Sequence, residues 1–262
     1  MEDHNLLVEE ISTALEWQDL VLNNTSKNQV KAIQHWLEHR SQITNDLHLK
    51  RLIKPGYRVL FHGPSGTGKT LTASLLGKTL GKSVHSINLT LMLSKYIGET
   101  EKNLNSIFNS AEKHDWILFF DEADAIFGKR TEVRHANDRY ANLETAYFLQ
   151  RLENYTGLVI LAANYRSNID EAFTRRFESV IHFPMPNRHE RLKIWEQVFS
   201  GKFTNSQEVD LNKIAEDFEL TGGAIISIVK RCVIASAVKK ETVISLADLI
   251  KEIKKELKNK KI

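Results

Sequence analysis

The chain has 262 residues, 42% of them hydrophobic, enough for one large or two smaller domains with a real core. Its 36 basic and 33 acidic residues leave a net charge of +3, which makes no general case for nucleic-acid or membrane binding. Cys232 stands alone, which excludes an internal disulfide and suits a reducing compartment.

No apolar run approaches the length of a membrane span, and the polar opening Met1-Glu2-Asp3-His4-Asn5 does not read as a signal peptide. A soluble cytoplasmic protein is expected. Cys232 lies in the apolar, helix-like run Ile225 to Val238 and reads as a packed thiol.

Leu6, Leu7, Ile11 and Leu15 recur at helical spacing and predict a short amphipathic helix at the start. Trp17 to Leu22 reads as an extended apolar piece, followed by a turn over Asn23 to Ser26. A helix is expected from about Lys27 to Arg40, with Val30, Ile33 and Leu37 on one side. Inside it, His35-Trp36-Leu37-Glu38-His39 fits an H-x-x-E-H zinc pattern. Nothing supplies a third ligand, so a solvated helix face is the preferred reading.

After the break Lys54-Pro55-Gly56, Tyr57 to His62 reads as a buried strand. Then comes Gly63-Pro64-Ser65-Gly66-Thr67-Gly68-Lys69-Thr70, which fits G-x-x-x-x-G-K-[ST]. The helix expected from Lys69 to Leu80 has Leu71, Leu75, Leu76 and Leu80 on its apolar side. Glycines allow the backbone to curl so that successive N–H groups face phosphate oxygens, and the helix adds its positive end. Lys69 can reach the β- and γ-phosphates and the Thr70 hydroxyl can ligate Mg²⁺. A nucleoside triphosphate is therefore the expected ligand, held from Gly63 through Leu71.

Val84 to Leu89 reads as the second strand. Tyr96-Ile97-Gly98 then exposes an aromatic–aliphatic–glycine triplet ahead of a helix from about Glu99 to His114. Trp116 to Phe120 is a continuous apolar run, as expected of a strand covered on both faces, and it ends in Asp121-Glu122-Ala123-Asp124. In a phosphate-loop enzyme, Asp121 would hold the Mg²⁺ shell opposite Thr70, and Glu122 would polarise the attacking water.

Gly128 to Ala136 reads as a charged loop, Asn137 to Asn154 as a long helix, and Gly157 to Ala163 as a strand delivering Asn164. Asn164 would lie beside the tip at Asp121 and Glu122 if the two strands are neighbours. A short helix start at Ile169 to Phe173 leads to Arg175-Arg176-Phe177, and Val180 to Phe183 gives a fifth strand. Beyond Pro184-Met185-Pro186 the pattern is all helical: Arg188 to Phe199, Leu211 to Phe218, Gly222 to Val238 and Ser245 to about Lys258.

With these residues in view, the chain resembles the AAA ATPases from near Trp17 to its C-terminal region. Gly63 to Thr70 looks like the Walker A loop, Ile117 to Glu122 like Walker B, and Asn164 like the sensor-1 residue. Asn168 to Phe177 resembles the second region of homology, whose paired arginines act on a neighbour's nucleotide. Its usual R-x-G-R spacing is shortened here to adjacent Arg175 and Arg176, with Arg175 the favoured finger. Tyr96-Ile97-Gly98 is similar to the pore loop with which such rings grip a polypeptide, local packing of Tyr96 being the alternative. Thr221-Gly222-Gly223-Ala224 resembles the glycine pair that lies against adenine and ribose, without a sensor-2 arginine. Asp138 to Asn142, with Gly128-Lys129-Arg130, looks most like bacterial stand-alone members.

The resemblance implies an α/β P-loop NTPase with a five-stranded parallel sheet flanked by helices and a small C-terminal helical lid. The expected divisions are a helical lead-in over 1–50, the nucleotide domain over 51–186 and the lid over 187–262. It further implies an Mg²⁺-dependent ATP hydrolase, in a homo-oligomeric ring of hexamer type, that remodels or threads a polypeptide, with an adaptor as a possible further partner. The competing reading is a nucleotide-gated assembly factor or loader that does not thread. A nucleic-acid motor is disfavoured by the near-neutral charge.

Overall fold

The computed structural model describes residues 8–46, 48–53, 56–94, 100–124, 136–164 and 171–259. Contacts group the chain into two compact units. One comprises Met1–Trp17, Asn24–Gly63 and Lys69–Phe183, the other Gln18–Asn23, Pro64–Gly68 and Pro184–Ile262.

The first unit is built on strands β1 (Val8–Ile11), β2 (Tyr57–His62), β3 (Val84–Asn88), β4 (Ile117–Asp121), β5 (Leu158–Ala163) and β6 (Ser179–His182). They form one six-stranded sheet in the order β1-β3-β4-β5-β2-β6. The five expected strands pair in parallel, and β1 adds an antiparallel edge against β3, with Val8 opposite Ile87 and Ile11 opposite Val84. The helix expected at the start is thus corrected. Leu6 and Leu7 lie outside the described residues, and the segment from Val8 is a strand. The helical spacing of the leucines is overridden by pairing with a partner far along the chain.

Strands β4 and β5 are buried from end to end apart from the half-buried Asp121, which accounts for their unbroken apolar runs. The described helices of this unit are α1 (Asn24–Asn45), α2 (Leu49–Leu52), α3 (Lys69–Leu80), α4 (Leu89–Ser94), α5 (Thr100–His114), α6 (Ala136–Asn154) and the short α7 (Glu171–Thr174). Phe108, Phe120, Phe148, Leu152 and Tyr155 fill the space between the sheet and helices α5 and α6. Tyr155 donates its hydroxyl hydrogen to the carbonyl of Trp116 at 2.5 Å, so its polar tip is satisfied where burial raises the phenol's pKa. Helix α1 begins three residues earlier and ends five later than expected, and Ser26 in its first turn donates to the carbonyl of His182 at 2.5 Å.

The second unit holds α8 (Arg188–Val198), α9 (Leu211–Asp217), α10 (Gly222–Val238) and α11 (Leu246–Asn259). The first three start where the sequence pattern predicts, and α11 starts one residue after the expected Ser245. Asn187 and Glu190 form a reciprocal capping box on α8, Asp210 caps α9 and Thr221 caps α10. The all-helical expectation needs one correction, because β7 (Thr204–Asn205) pairs in parallel with β8 (Val243–Ile244). Two residues per strand are too few to show a period. Trp195, Ile225, Ile228, Leu249 and Ile253 make the core of this unit, with Cys232 buried among them and its thiol pushed up to about 11. That thiol is inert packing, as expected.

Candidate functional site

In the parallel sheet, β2, β4 and β5 end side by side, so the polar residues that follow each strand meet at one edge. Gly63, following β2, has φ 146°, and its N–H donates to the carbonyl of Ala163 at 3.1 Å. A Cβ there would come 2.0 Å from the carbonyl oxygen of Phe183, so only glycine fits this start of the loop.

Lys69 opens α3 and is 8% exposed. Its Nζ donates to the carbonyl of Gly63 at 2.6 Å and to Oδ1 of Asn164 at 3.3 Å. Burial lowers its pKa, while the charges of Asp121 and Asp124 pull the other way. Thr70, beside it, is exposed at the same helix start, and Leu71 is half-buried one position on. The ammonium is thus desolvated and held against the Gly63 carbonyl, an arrangement that favours an anion as ligand.

Asp121 ends β4, and its Oδ1 accepts the N–H of Glu122 at 2.8 Å. Glu122 has φ 54°, a left-handed conformation rare for a residue with a side chain. Its carboxylate is exposed and accepts from Nδ2 of Asn88 at 3.4 Å. Asn88 ends β3, and its Oδ1 accepts the N–H of Leu91 at 3.0 Å, which fixes which way the amide faces. Asp124 accepts the N–H of Asn164 at 2.7 Å and so joins the tips of β4 and β5.

The structure therefore brings together Gly63, Lys69, Asp121, Glu122 and Asn164, and adds Asn88 and Asp124, which sequence reasoning did not single out. Both are polar residues at or just past a strand end. That signal is readable only once the strand order makes β3 and β5 the neighbours of β4.

Arg175 and Arg176 follow α7 in the same unit. Arg176 is ion-paired with Glu153, whereas Arg175 is exposed and makes no hydrogen bond or ion pair among the described residues. Tyr96 and Ile97 lie outside the described residues, as do the charged loop residues Lys129, Arg130 and Arg134.

In the second unit, the loop segment Pro64–Gly68 packs on the start of α10. Gly66 has φ 77° and its carbonyl accepts the N–H of Gly223 at 2.9 Å. A Cβ on Gly66 would meet Thr221 Oγ1 at 2.8 Å, and one on Gly223 would meet Gly66 Cα at 3.0 Å. Gly222, beside it, would bring a Cβ to 3.6 Å of the Gly66 carbonyl oxygen, which is ordinary contact. Thr67 donates its hydroxyl hydrogen to the carbonyl of Pro64 at 2.8 Å, while Ser65 is exposed. Gly68 has φ 102°, so three of the loop's glycines take conformations that other residues avoid. A curled backbone of this kind fits a phosphate chain, and the donors and acids above fit ATP with Mg²⁺.

The His35–His39 segment lies on α1 with His35, Glu38 and His39 exposed. Among the described residues no group of three or more His, Cys, Asp or Glu is placed to hold a metal ion by itself. Nor is any described helix long and apolar enough to cross a membrane.

Comparison with known proteins agrees with this geometry. Residues 59–185, just under half of the chain, match the family "ATPase family associated with various cellular activities (AAA)". The chain is 35% identical over 212 residues to a proteasome-activating nucleotidase of Aeropyrum pernix, an alignment covering 78% of this chain and 51% of that protein. It is 32% identical over 162 residues to a spastin of Naegleria gruberi, covering 60% of this chain and 31% of that protein. It is likewise 32% identical over 186 residues to the 26S proteasome regulatory subunit S10B homolog B of Arabidopsis thaliana, covering 68% and 46%. The chain thus spans about half or less of the length of these relatives. AAA domains are ATPases that bind ATP with Mg²⁺ and typically work as oligomers.

Proposed function

We propose that the chain is an Mg²⁺-dependent ATP hydrolase that works as a homo-oligomeric ring of hexamer type and remodels or threads a polypeptide. The observation that carries the reading is the pair Arg175 and Arg176. Arg176 is engaged by Glu153 of its own chain, while Arg175 is exposed and unengaged among the described residues. An exposed guanidinium of this kind suits a finger offered to the neighbouring copy's nucleotide. Such a finger contributes about 10³–10⁵ in turnover, or about 4–7 kcal/mol of barrier.

ATP supplies the phosphoanhydride bond to be cleaved, and Mg²⁺ neutralises its developing charge. Lys69 holds the β- and γ-phosphates, Thr70 and Asp121 take the metal, and the backbone from Gly63 through Leu71 cradles the chain of phosphates. Glu122 orients and polarises water, Asn88 aims the Glu122 carboxylate, and Asn164 reads the γ-phosphate beside Lys69. Gly222 and Gly223 present backbone to the nucleoside. Tyr96 and Ile97 grip substrate. The polypeptide as substrate rests on this triplet and on relatives whose names tie them to the proteasome.

The test is complementation. Arg175→Ala and Glu122→Gln chains are each expected to be nearly inactive. Mixed, they share interfaces at which an intact site meets an intact finger, so ATPase activity returns. Mixtures no more active than either component would overturn the reading.

A further inference from the structure

Arg58 is the second residue of β2, a position where an exposed or apolar side chain would be unremarkable, yet it is 3% exposed. A guanidinium that far from water must find acceptors for its donors. It does so on one segment above all. Its Nε donates to Glu178 Oε2 at 3.2 Å, its Nη2 to Glu178 Oε1, and its backbone N–H to Glu178 Oε2 at 2.6 Å. Glu178 returns its own N–H to the carbonyl of Arg58 at 3.0 Å. The remaining Nη1 donates to the backbone carbonyl of Glu153 at 3.0 Å, and the Glu153 carboxylate in turn holds Arg176.

Register explains the meeting. Val59 pairs with Ser179 in the parallel ladder, so the residues just before them, Arg58 and Glu178, lie level with one another. Between α7 and β6 the chain turns, with Arg176 N–H donating to the carbonyl of Phe173 at 3.0 Å and Phe177 N–H to that of Thr174 at 3.2 Å. Phe173 is buried in the core and Phe177 packs against it. The turn is therefore anchored by an aromatic ring at each end and by an ion pair at residues 176 and 178. Arg175 is the residue of this turn left exposed and unengaged among the described residues.

We propose that Arg58, Glu178, Glu153 and Arg176 form a clamp that positions Arg175 for its work on the neighbouring copy; this rests on the reading of Arg175 as a finger in trans. Apolar contact alone would hold the turn down without fixing its direction. A two-pronged guanidinium–carboxylate pair fixes orientation as well. Orientation matters because displacing a catalytic group by about 1 Å can cost on the order of 10²-fold in rate. Arg58, Glu178, Glu153 and Arg176 are thus positioning residues, and Arg176 acts through Glu153 rather than on phosphate.

The experiment uses full-length Glu153→Gln and Glu178→Gln chains, with ATP affinity and ATPase turnover read separately. Each is expected to keep wild-type ATP affinity and lose turnover by about 10²-fold. Each should recover activity when mixed with Glu122→Gln chains, whose turn is intact. Glu178→Gln leaves a buried guanidinium short of a partner; should it fail to fold, the half-exposed Glu153 still decides the matter. In a double-mutant cycle, Glu153→Gln with Arg176→Ala should cost no more than either change alone. Wild-type turnover in Glu153→Gln, losses not rescued by mixing, or additive losses in the cycle would each overturn the clamp. If Arg175→Ala also fails to be rescued by Glu122→Gln, the finger in trans has failed; rescue of Arg175→Ala alone isolates the failure to the clamp.

Discussion

The Nζ of Lys69 donates to Oδ1 of Asn164 at 3.3 Å, tying the first residue of α3 to the end of β5. The same ammonium is buried, which lowers its pKa against the opposing pull of Asp121 and Asp124. A desolvated cation costs the fold free energy that an anionic ligand offsets. Lys69→Met is therefore expected to weaken ATP binding by about 10- to 100-fold, the worth of a lost charge-assisted hydrogen bond of about 1.5–3 kcal/mol. Titration calorimetry checks this, and unchanged affinity would remove Lys69 from its phosphate role.

The same residue predicts a pH dependence without nucleotide. Since the folded pKa of Lys69 lies below its ordinary 10.5, the unfolded chain binds more protons between the two values. The penalty is complete at neutral pH and is relieved as the pH rises through the folded value towards 10.5. Lys69→Met should therefore be at least as stable as wild type to urea at neutral pH, and that advantage should shrink in alkaline solution. An advantage that grew with pH would contradict the sign of the shift.

Asn88 makes two contacts that different substitutions separate. Asn88→Asp keeps the acceptor for the Leu91 N–H but replaces the donor to Glu122 with a second carboxylate. If Asn88 aims Glu122, Asn88→Asp should lower turnover by about tenfold or more, part of the about 10²–10⁴-fold that a general base contributes, and leave ATP affinity nearly unchanged. Turnover equal to wild type would reduce Asn88 to a helix cap.

Glu122 occupies φ 54°, where a side chain costs about 1–2 kcal/mol. Glu122→Gly should abolish turnover yet raise the thermal midpoint by about 2 °C, because relief of that conformation outweighs lost side-chain contacts of an exposed group. A fall of several degrees would show that the Glu122 side chain holds the strand tip together.

Much of this site was legible because its residues obey local rules. The loop Gly63–Thr70 has a spacing set by phosphate geometry, and the runs ending at Asp121 and Asn164 are apolar because both strands are buried on both faces. The neighbouring of β4 and β5, left conditional in the sequence, is present in the sheet. What escaped depends on distant partners. Val8–Ile11 becomes a strand only through Val84–Ile87, and its leucine-rich surroundings imitate a helix. Asn88 gains its meaning from strand order, and Arg58 from register with a residue 120 positions away. None of these is encoded within a window of one element.

Tyr96 carries the substrate half of the account. Tyr96→Ala should leave ATP turnover within about twofold of wild type while unfolding of a tagged test protein is lost, since the role proposed for Tyr96 is to grip polypeptide and not to touch nucleotide. Undiminished unfolding would remove Tyr96 from the grip on substrate.

The central claim is that the finger comes from the adjacent copy, and the most direct measurement is ATPase activity per chain across a dilution series, with mass followed by light scattering. The account predicts that turnover per chain falls together with the loss of oligomer, by a factor approaching the ~10³ or more that a finger contributes. Monomers that hydrolyse ATP as fast as the assembled protein would contradict it.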